Sequence, residues 1–462
     1  MKKIWTSLFL TTLLILCLVA GASCTSDGTP SDTQMVLGTS QATLADTLAE
    51  TERITDAGVE DTHADTATAD TQAVTDTDTE GETQAVADTD AESETQDPGE
   101  SESATEVETI PEDDVVTEAA TEADTTEERV AAIIDGMTIE QKVGQLFVVR
   151  RPQDEAAAQQ AITNYHIGGF TFYAPEFENS TPAGVKSLIQ QYQGLSDVPL
   201  FIAVDEEGGR VVRASKYAAF RDTPFPSPRE LIAAGGMAAV DADAREKSAF
   251  LKHLGINLNY APVCDMSGDP ESFIYDRTAS NDPYETAEYV RTVVTAMNES
   301  GMIGCLKHFP GYGDNVDTHT SIAVDPRPIS QFMEKDLMPF LAGMEAGAPI
   351  VMIAHNIVNC MDPNTPASLS PSVYRFLRGR LQYNGVVMTD ALDMAAITQY
   401  TNDRESAVAA LIAGSDLLCC TNYETQIPAV LSAVEEGLIT EERIEESLIR
   451  ILTLKIKMGI IA

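Results

Sequence analysis

The sequence predicts an α/β protein built on one (β/α)₈ barrel of the TIM type. From Arg129 to Ala462, eight short apolar runs alternate with longer segments whose apolar residues recur three and four positions apart. The runs are apolar throughout rather than alternating, as expected of strands covered on both faces, so parallel pairing and closure into a barrel follow. An open doubly wound sheet is the alternative, but no glycine-rich phosphate loop follows an early strand.

The runs read as strands are Gln145–Val149, Gly169–Tyr173, Leu200–Asp205, Asn257–Val263, Gly304–His308, Ile350–His355, Val386–Asp390 and Leu417–Cys420. Between them lie segments of helical period such as Ala287–Ser300 and Ile329–Ala346. The last helix is expected over Ile444–Met458, with Ile444, Leu448, Ile451, Leu452 and Leu454 largely on one face and Gly459 as its stop. No further domain is expected after it. The five cysteines of the globular part, Cys264, Cys305, Cys360, Cys419 and Cys420, sit inside apolar, strand-like runs without CxxC spacing, and read as small buried hydrophobes.

The first 128 residues differ in kind. Lys2 and Lys3 precede an apolar run from Ile4 to Ala20, then Gly21-Ala22-Ser23-Cys24, which reads over residues 1–24 as an export signal. Two processing routes stay open. Lipidation of Cys24 would leave a surface lipoprotein, whereas Ala20-Gly21-Ala22 also satisfies the small-x-small rule for cleavage and release. Residues 25–128 hold 31 Asp and Glu against the single Arg53, and no aromatic residue. Such a segment has little to bury against its ordering entropy, so a disordered, self-repelling tether is expected. It carries most of the net charge of -44, and the barrel itself is only mildly acidic. That balance excludes nucleic acid as a partner, because phosphates are bound by Lys and Arg.

In a barrel of this kind, polar residues at the carboxyl ends of strands form the active site. Those ends carry Asp205, Asp265, Lys307-His308, His355-Asn356 and Asp390. Several charges converging on one mouth are hard to explain by structure alone. The run Lys307-His308-Phe309-Pro310-Gly311-Tyr312-Gly313 leaves its strand as a glycine-rich loop and presents Asp317 and His319 two residues apart. A carboxylate beside an imidazole can orient it and stabilise its cation, as a proton shuttle near neutral pH requires. Asp390, delivered by Gly385–Asp390, could attack an anomeric carbon.

These segments resemble glycoside hydrolase family 3. The resemblance rests on Asp205-Glu206-Glu207-Gly208-Gly209-Arg210-Val211-Val212-Arg213, Lys307–His319, Thr389–Met394, the opening Met137–Leu146 and Thr365–Ser370, and spans about residues 129–462. Within the family it is nearest to the bacterial β-N-acetylhexosaminidases, the Asp-x-His element being the most discriminating part. The resemblance implies a retaining glycosidase acting on N-acetylglucosamine of peptidoglycan-type fragments. Asp390 would be the nucleophile, His319 the general acid/base and Asp317 its partner. Asp205, Arg213, Arg277, Lys307 and His308 would bind the sugar. A monomer with a carbohydrate substrate, no metal and no cofactor is expected. Two loop positions depart from the family pattern: Tyr312 stands where histidine is common and Thr318 where serine is usual. Two alternatives stay open, an N-acetylglucosaminide phosphorylase and a non-catalytic surface barrel that binds sugar.

Overall fold

The computed structural model of the chain describes residues 126–419 and 422–462. The expected signal, Cys24 and the tether up to residue 125 lie outside the described residues, as does Cys420. A helix over 126–135 opens the described part, so the expected tether boundary falls inside it.

Eight strands close the barrel: β1 (Phe147–Arg150), β2 (Gly169–Phe172), β3 (Phe201–Val204), β4 (Leu258–Asn259), β5 (Ile303–Phe309), β7 (Ile350–Ile353), β9 (Val386–Ala391) and β10 (Leu417–Cys419). All eight pairings are parallel, and neighbours in sequence are neighbours around the ring until β10 meets β1. Two short strands, β6 (Val324–Asp325) and β8 (Ile357–Val358), pair with each other outside the barrel. Every residue of β2, β3, β5 and β7 is buried, which is why these strands read as mainly apolar runs. The interior is a packed core rather than a pore. Tyr260 Oη lies 3.0 Å from Thr171 Oγ1 of β2 and 3.8 Å from Cys419 Sγ of β10, and Cys305 Sγ of β5 lies 3.9 Å from Met388 Sδ of β9. Each fully buried Val, Leu, Ile or Phe contributes roughly 1.5–3 kcal/mol relative to exposure.

Local sequence sets the helix ends. Asp282 accepts from the backbone N–H groups of Tyr284 and Glu285, with Pro283 in the first turn, so one helix runs Pro283–Glu299. Thr440 caps the final helix, Glu441–Lys457. The Met137–Leu146 segment works at the bottom of the barrel. Thr138 and Gln141 form a capping box at the start of the Ile139–Gly144 helix. Lys142 reaches Glu441 and Glu445 of the final helix at 2.7 and 2.6 Å.

Three expectations need correction. The strand Asn257–Val263 shrinks to Leu258–Asn259, because Pro262 has no N–H to give the ladder; beyond Asn259 the chain meets β5 through a Cys305 N–H to Ala261 carbonyl hydrogen bond and an isolated Val263–Lys307 bridge. The helix over Ile329–Ala346 is interrupted by a wider turn over Phe332–Asp336; Pro339 offers no N–H to the carbonyl four residues back. Cys264, Cys305 and Cys419 are buried, but Cys360 is exposed in the turn after β8.

Candidate active site

The barrel has two register shifts, and both fall where the sequence places functional residues. Between β5 and β7, Leu306 pairs with Val351 and Phe309 with Ile353, leaving one extra residue at Lys307-His308. Between β9 and β10, Met388 pairs with Leu417 and Ala391 with Cys419, leaving one extra residue at Thr389-Asp390. An extra residue re-aims the side chains around it, which is how barrel rims commonly present reactive groups.

Asp205 follows the last residue of β3, and the chain then doubles back to bring Arg213 beside it. Gly208 and Gly209 make the turn with φ of 110° and 61°; a Cβ on Gly208 would stand 2.1 Å from the Pro226 carbonyl oxygen. The buried Glu206 carboxylate holds the returning strand by accepting from the N–H groups of Arg213, Ala214 and Ser215 at 2.8, 2.9 and 3.2 Å. Arg213 Nη2 then lies 3.4 Å from Asp205 Oδ2.

Lys307 joins this pair from β5. Its Nζ lies 2.7 Å from Asp205 Oδ1 and 2.6 Å from Glu207 Oε1. Arg277 clamps Glu207 with two hydrogen bonds, Nε to Oε2 at 2.9 Å and Nη2 to Oε1 at 2.8 Å. The same Nη2 lies 3.3 Å from His308 Nε2, while His308 Nδ1 lies 2.7 Å from Asp265 Oδ2. Asp265 also accepts from the N–H groups of His308 and Tyr312, so it fixes both the ring and the loop that follows. Three carboxylates thus meet three cations, the balance that buried charges need. Burial alone would raise the Asp205 carboxyl, but the Lys307 ammonium and the Arg213 guanidinium outweigh it and hold it below its usual range. Burial likewise opposes ionisation of Glu207, and Arg277 and Lys307 together hold its carboxyl far below the ordinary value. Lys307 is pushed up: its two carboxylates outweigh its burial.

Asp390 stands at the end of β9 on the same mouth. Its Oδ1 accepts from the Ala391 N–H at 2.8 Å. Against burial, the His308 imidazole, that N–H and His319 lower its pKa, so it is an anion at neutral pH. His355, buried at the end of β7, is 2.9 Å from the Ala391 carbonyl through Nε2 and 2.7 Å from Ser368 Oγ through Nδ1. Burial pulls its pKa down, which keeps the ring neutral; Nε2–H then donates and Nδ1 accepts. It braces the peptide just beyond Asp390.

Asp317 and His319 meet in the loop after β5. His319 Nδ1 lies 2.7 Å from Asp317 Oδ1, which also accepts from the His319 N–H at 3.0 Å. The imidazole side chain is 62% exposed, so its Nε2 edge is open to an incoming ligand. The base of the loop is pinned by Arg327, whose guanidinium binds Asp325 and Asp336 and lies 2.8 Å from where a Cβ on Gly313 would sit. Its far end is pinned where the Thr318 carbonyl accepts from the Ala396 N–H at 3.1 Å. The two departures from the family pattern touch: the Tyr312 hydroxyl hydrogen-bonds the buried Thr318 hydroxyl.

The eight residues to which the family resemblance gives catalytic or sugar-binding roles therefore line one mouth or its loop. Asp205, Arg213, Arg277, Lys307 and His308 form one connected cluster, Asp317 and His319 a pair, and Asp390 lies within electrostatic reach of His308 and His319. Sequence reasoning missed Glu207, the carboxylate through which Arg277 and Lys307 are joined. Its place two residues beyond Asp205 was the available signal, since alternate residues of an extended segment share a face.

Residues 138–454 match the glycosyl hydrolase family 3 N-terminal domain. The chain is 30% identical to β-hexosaminidase A of Pseudoalteromonas piscicida over 65% of its own length and 55% of that protein's. It is 32% identical to the β-hexosaminidase LpqI of Mycobacterium tuberculosis over 68% of its length and 82% of that protein's. Among solved structures, a family 3 β-N-acetylglucosaminidase from a Paenibacillus species superposes with a TM-score of 0.66 at 34% identity, covering 71% of this chain and 64% of the other. By its barrel, its mouth residues and these likenesses, the chain belongs to glycosyl hydrolase family 3.

Proposed function

We propose that this chain is a retaining, exo-acting β-N-acetylhexosaminidase that removes terminal β-linked N-acetylglucosamine from peptidoglycan-type fragments. The hexosaminidase relatives and the β-N-acetylglucosaminidase neighbour support the substrate class. The observation that carries the reading is Asp390: an anionic carboxylate at a barrel mouth, with one oxygen engaged by the Ala391 N–H and the other accepting no hydrogen bond among the described residues. That free oxygen attacks the anomeric carbon, and a glycosyl-enzyme forms as the leaving group departs. His319, its Nδ1 held by Asp317, protonates the leaving oxygen through Nε2 and then takes the proton from the incoming water. Asp205, Arg213, Lys307, Arg277 and His308 grip the sugar. The connected ion pairs among them hold these groups in place before substrate arrives, so little ordering remains to be done on binding. Export through residues 1–24, anchoring at Cys24 on the acidic tether and a monomeric barrel complete the proposal; the charged start, apolar run and small residues before Cys24 support it.

The test is covalent trapping. A 2-acetamido-5-fluoro glycosyl donor slows breakdown of the intermediate, and peptide mass spectrometry is expected to find the sugar on Asp390. Asp390→Asn is expected to lose several orders of magnitude in rate, since neither charge nor attacking oxygen is replaced. A label on Asp205 or Asp393 refutes the assignment.

A further inference from the structure

The helix Pro228–Leu254 carries a lysine within its apolar face. Its buried residues include Val240, Ala244, Lys247, Leu251 and Leu254, spaced four and three apart in alternation, as a core-facing stripe requires. Lys247 stands in the middle of that stripe and is 8% exposed. An ammonium there loses most of its hydration, so a helix that needed only packing would be better served by an apolar side chain of similar volume.

What the ammonium touches accounts for its place. Its Nζ donates to the Glu207 carbonyl oxygen at 2.9 Å and lies 2.9 Å from Asp243 Oδ2, one turn back on the same helix. It stands 5.2 Å from the centroid of the Phe225 ring, and the Phe225 carbonyl accepts from the Gly209 N–H at 2.9 Å. A Cβ on Gly208 would lie 3.6 Å from the same Nζ. Lys247 therefore sits against the Glu207-Gly208-Gly209 turn. Two of those three residues are glycines, with no side chain to anchor the backbone. Packing does not anchor it on the helix side either. A cavity of about 20 Å³, with room for about one water, opens there and is lined by Glu207, Asp243, Lys247, Asn259 and Tyr289 together with apolar side chains. The preceding residue is held by hydrogen bonds as well: the Asn259 side chain accepts from the Glu206 N–H at 2.9 Å and donates to the Glu206 carbonyl at 3.0 Å. Asn259 and Lys247, rather than close packing, set where this stretch of backbone lies.

We propose that Lys247 is a positioning residue for the sugar-binding cluster, which it serves by fixing the backbone at Glu207. The inference rests on the glycosidase reading of the site. Lys307 lies 2.6 Å from the Glu207 carboxylate and 2.7 Å from that of Asp205, and Arg277 grips Glu207 at two points. Glu207 is thus the point about which Lys307 and Arg277 are arranged, and through Lys307 it bears on Asp205. Displacing its backbone displaces partners on three separate elements, because these pairs are short, buried and mutually dependent.

The experiment measures, on the full chain, the inhibition constant Ki of N-acetylglucosamine and kcat/KM for 4-nitrophenyl N-acetylglucosaminide, alongside unfolding in urea. Lys247→Met nearly conserves volume but removes the donor. Its Ki is expected to rise about tenfold and its kcat/KM to fall by the same factor, the scale of one hydrogen bond made by a charged group. Lys247→Arg keeps the charge, has the neighbouring cavity for its extra bulk, and is expected to restore most of the loss. Lys142→Met is the control for stability alone. It takes a comparably buried lysine from two carboxylates at the bottom of the barrel, and should lower the urea midpoint while leaving Ki unchanged. Asp243→Asn keeps an acceptor beside the ammonium and should also leave Ki unchanged. If Lys247→Met does not fold, Lys247→Gln, one bond shorter and neutral, is read in its place with the same increase expected. A lowered urea midpoint with Ki and kcat/KM unchanged makes Lys247 a structural brace and overturns the inference, leaving the glycosidase reading intact. Equal weakening in Lys247→Met and Lys247→Arg overturns it too, as does a rise in Ki for Asp243→Asn as large as that for Lys247→Met. A wild-type protein that neither binds N-acetylglucosamine nor hydrolyses the aryl glycoside overturns both readings.

Discussion

Lys455 gives the most quantitative test of how the barrel is held. It projects from the final helix into the bottom of the barrel and is fully buried. Its Nζ lies 3.0 Å from Gln145 Oε1 and 3.2 Å from the Gly168 carbonyl oxygen, and 4.7 Å from the centroid of the Phe201 ring. No carboxylate offsets the burial, which pulls the ammonium down to about 7 from an ordinary 10.5. The sign of the consequence follows by linkage. The unfolded chain takes up this proton below about pH 10.5 and the folded protein only below about pH 7, so between them the unfolded state holds more protons and raising the pH stabilises the fold. At 1.36 kcal/mol per unit, the whole shift costs the native state about 5 kcal/mol, fully felt only below about pH 7. Between about pH 7 and pH 8.5 the native state should regain about 1.5 kcal/mol, allowing for half-titration at the lower end.

Lys455→Met removes this slope while nearly conserving volume. It also strips Gln145 and Gly168 of a donor, so the absolute stability of the variant at any one pH is not diagnostic. The difference between the two proteins is. Urea unfolding of both across that window should show the wild type gaining about 1.5 kcal/mol on the variant. Cys264 and Cys305, whose thiols burial pushes up, contribute a slope of opposite sign near the top of the window, but they are common to both proteins and cancel. Parallel stability profiles would mean that the ammonium stays charged in the core, and the reasoning fails.

Two further predictions concern the loop. His319→Ala should cripple hydrolysis of a disaccharide, by about 10²–10⁴-fold, yet spare glycosyl-enzyme formation from a dinitrophenyl glycoside, which leaves without a proton; pre-steady-state kinetics should show a burst, and equal losses on both substrates would make His319 a mere brace. Tyr312→Phe leaves the buried Thr318 hydroxyl without its partner and should cost about 1 kcal/mol in unfolding free energy and several-fold in kcat. Adding Thr318→Val should then cost less than the sum of the two single changes, and strict additivity in a double-mutant cycle would show the contact to be idle.

Much of this was legible because it depends on local pattern. Strands covered on both faces leave unbroken apolar runs, and polar residues at their carboxyl ends stand out against them; that is why Asp205, Lys307-His308 and Asp390 could be chosen before any geometry was known. What stayed hidden depends on pairing. Arg150 and Arg151 are chemically identical neighbours, and only the direction of the strand separates a matched charge from an open one. The Tyr312–Thr318 contact bridges six residues of irregular loop, where no period applies. The two-stranded sheet of Val324–Asp325 and Ile357–Val358 is too short to leave a pattern at all. Lys455 reads as an ordinary cation near the end of a helix, where it would suit the helix dipole, and nothing nearby in sequence reveals that it enters the core.

Glu207 shows how one buried carboxylate can hold the charges of a site together. In its proposed role Asp205 accepts hydrogen bonds from sugar hydroxyls most strongly as an anion, yet it sits where burial favours its neutral form. Lys307 keeps it ionised, but a lysine buried to 2% exposure would itself tend to lose its proton. Glu207, 2.6 Å from Lys307, stabilises the ammonium and is in turn held ionised by the two-point grip of Arg277. Each charge is kept by the next, and the chain of pairs ends at His308 and Asp265, beside Asp390. Removing the Glu207 charge would therefore act at Asp205 and at His308 together, although those residues come from strands more than 100 positions apart and share no direct contact in the described hydrogen bonds.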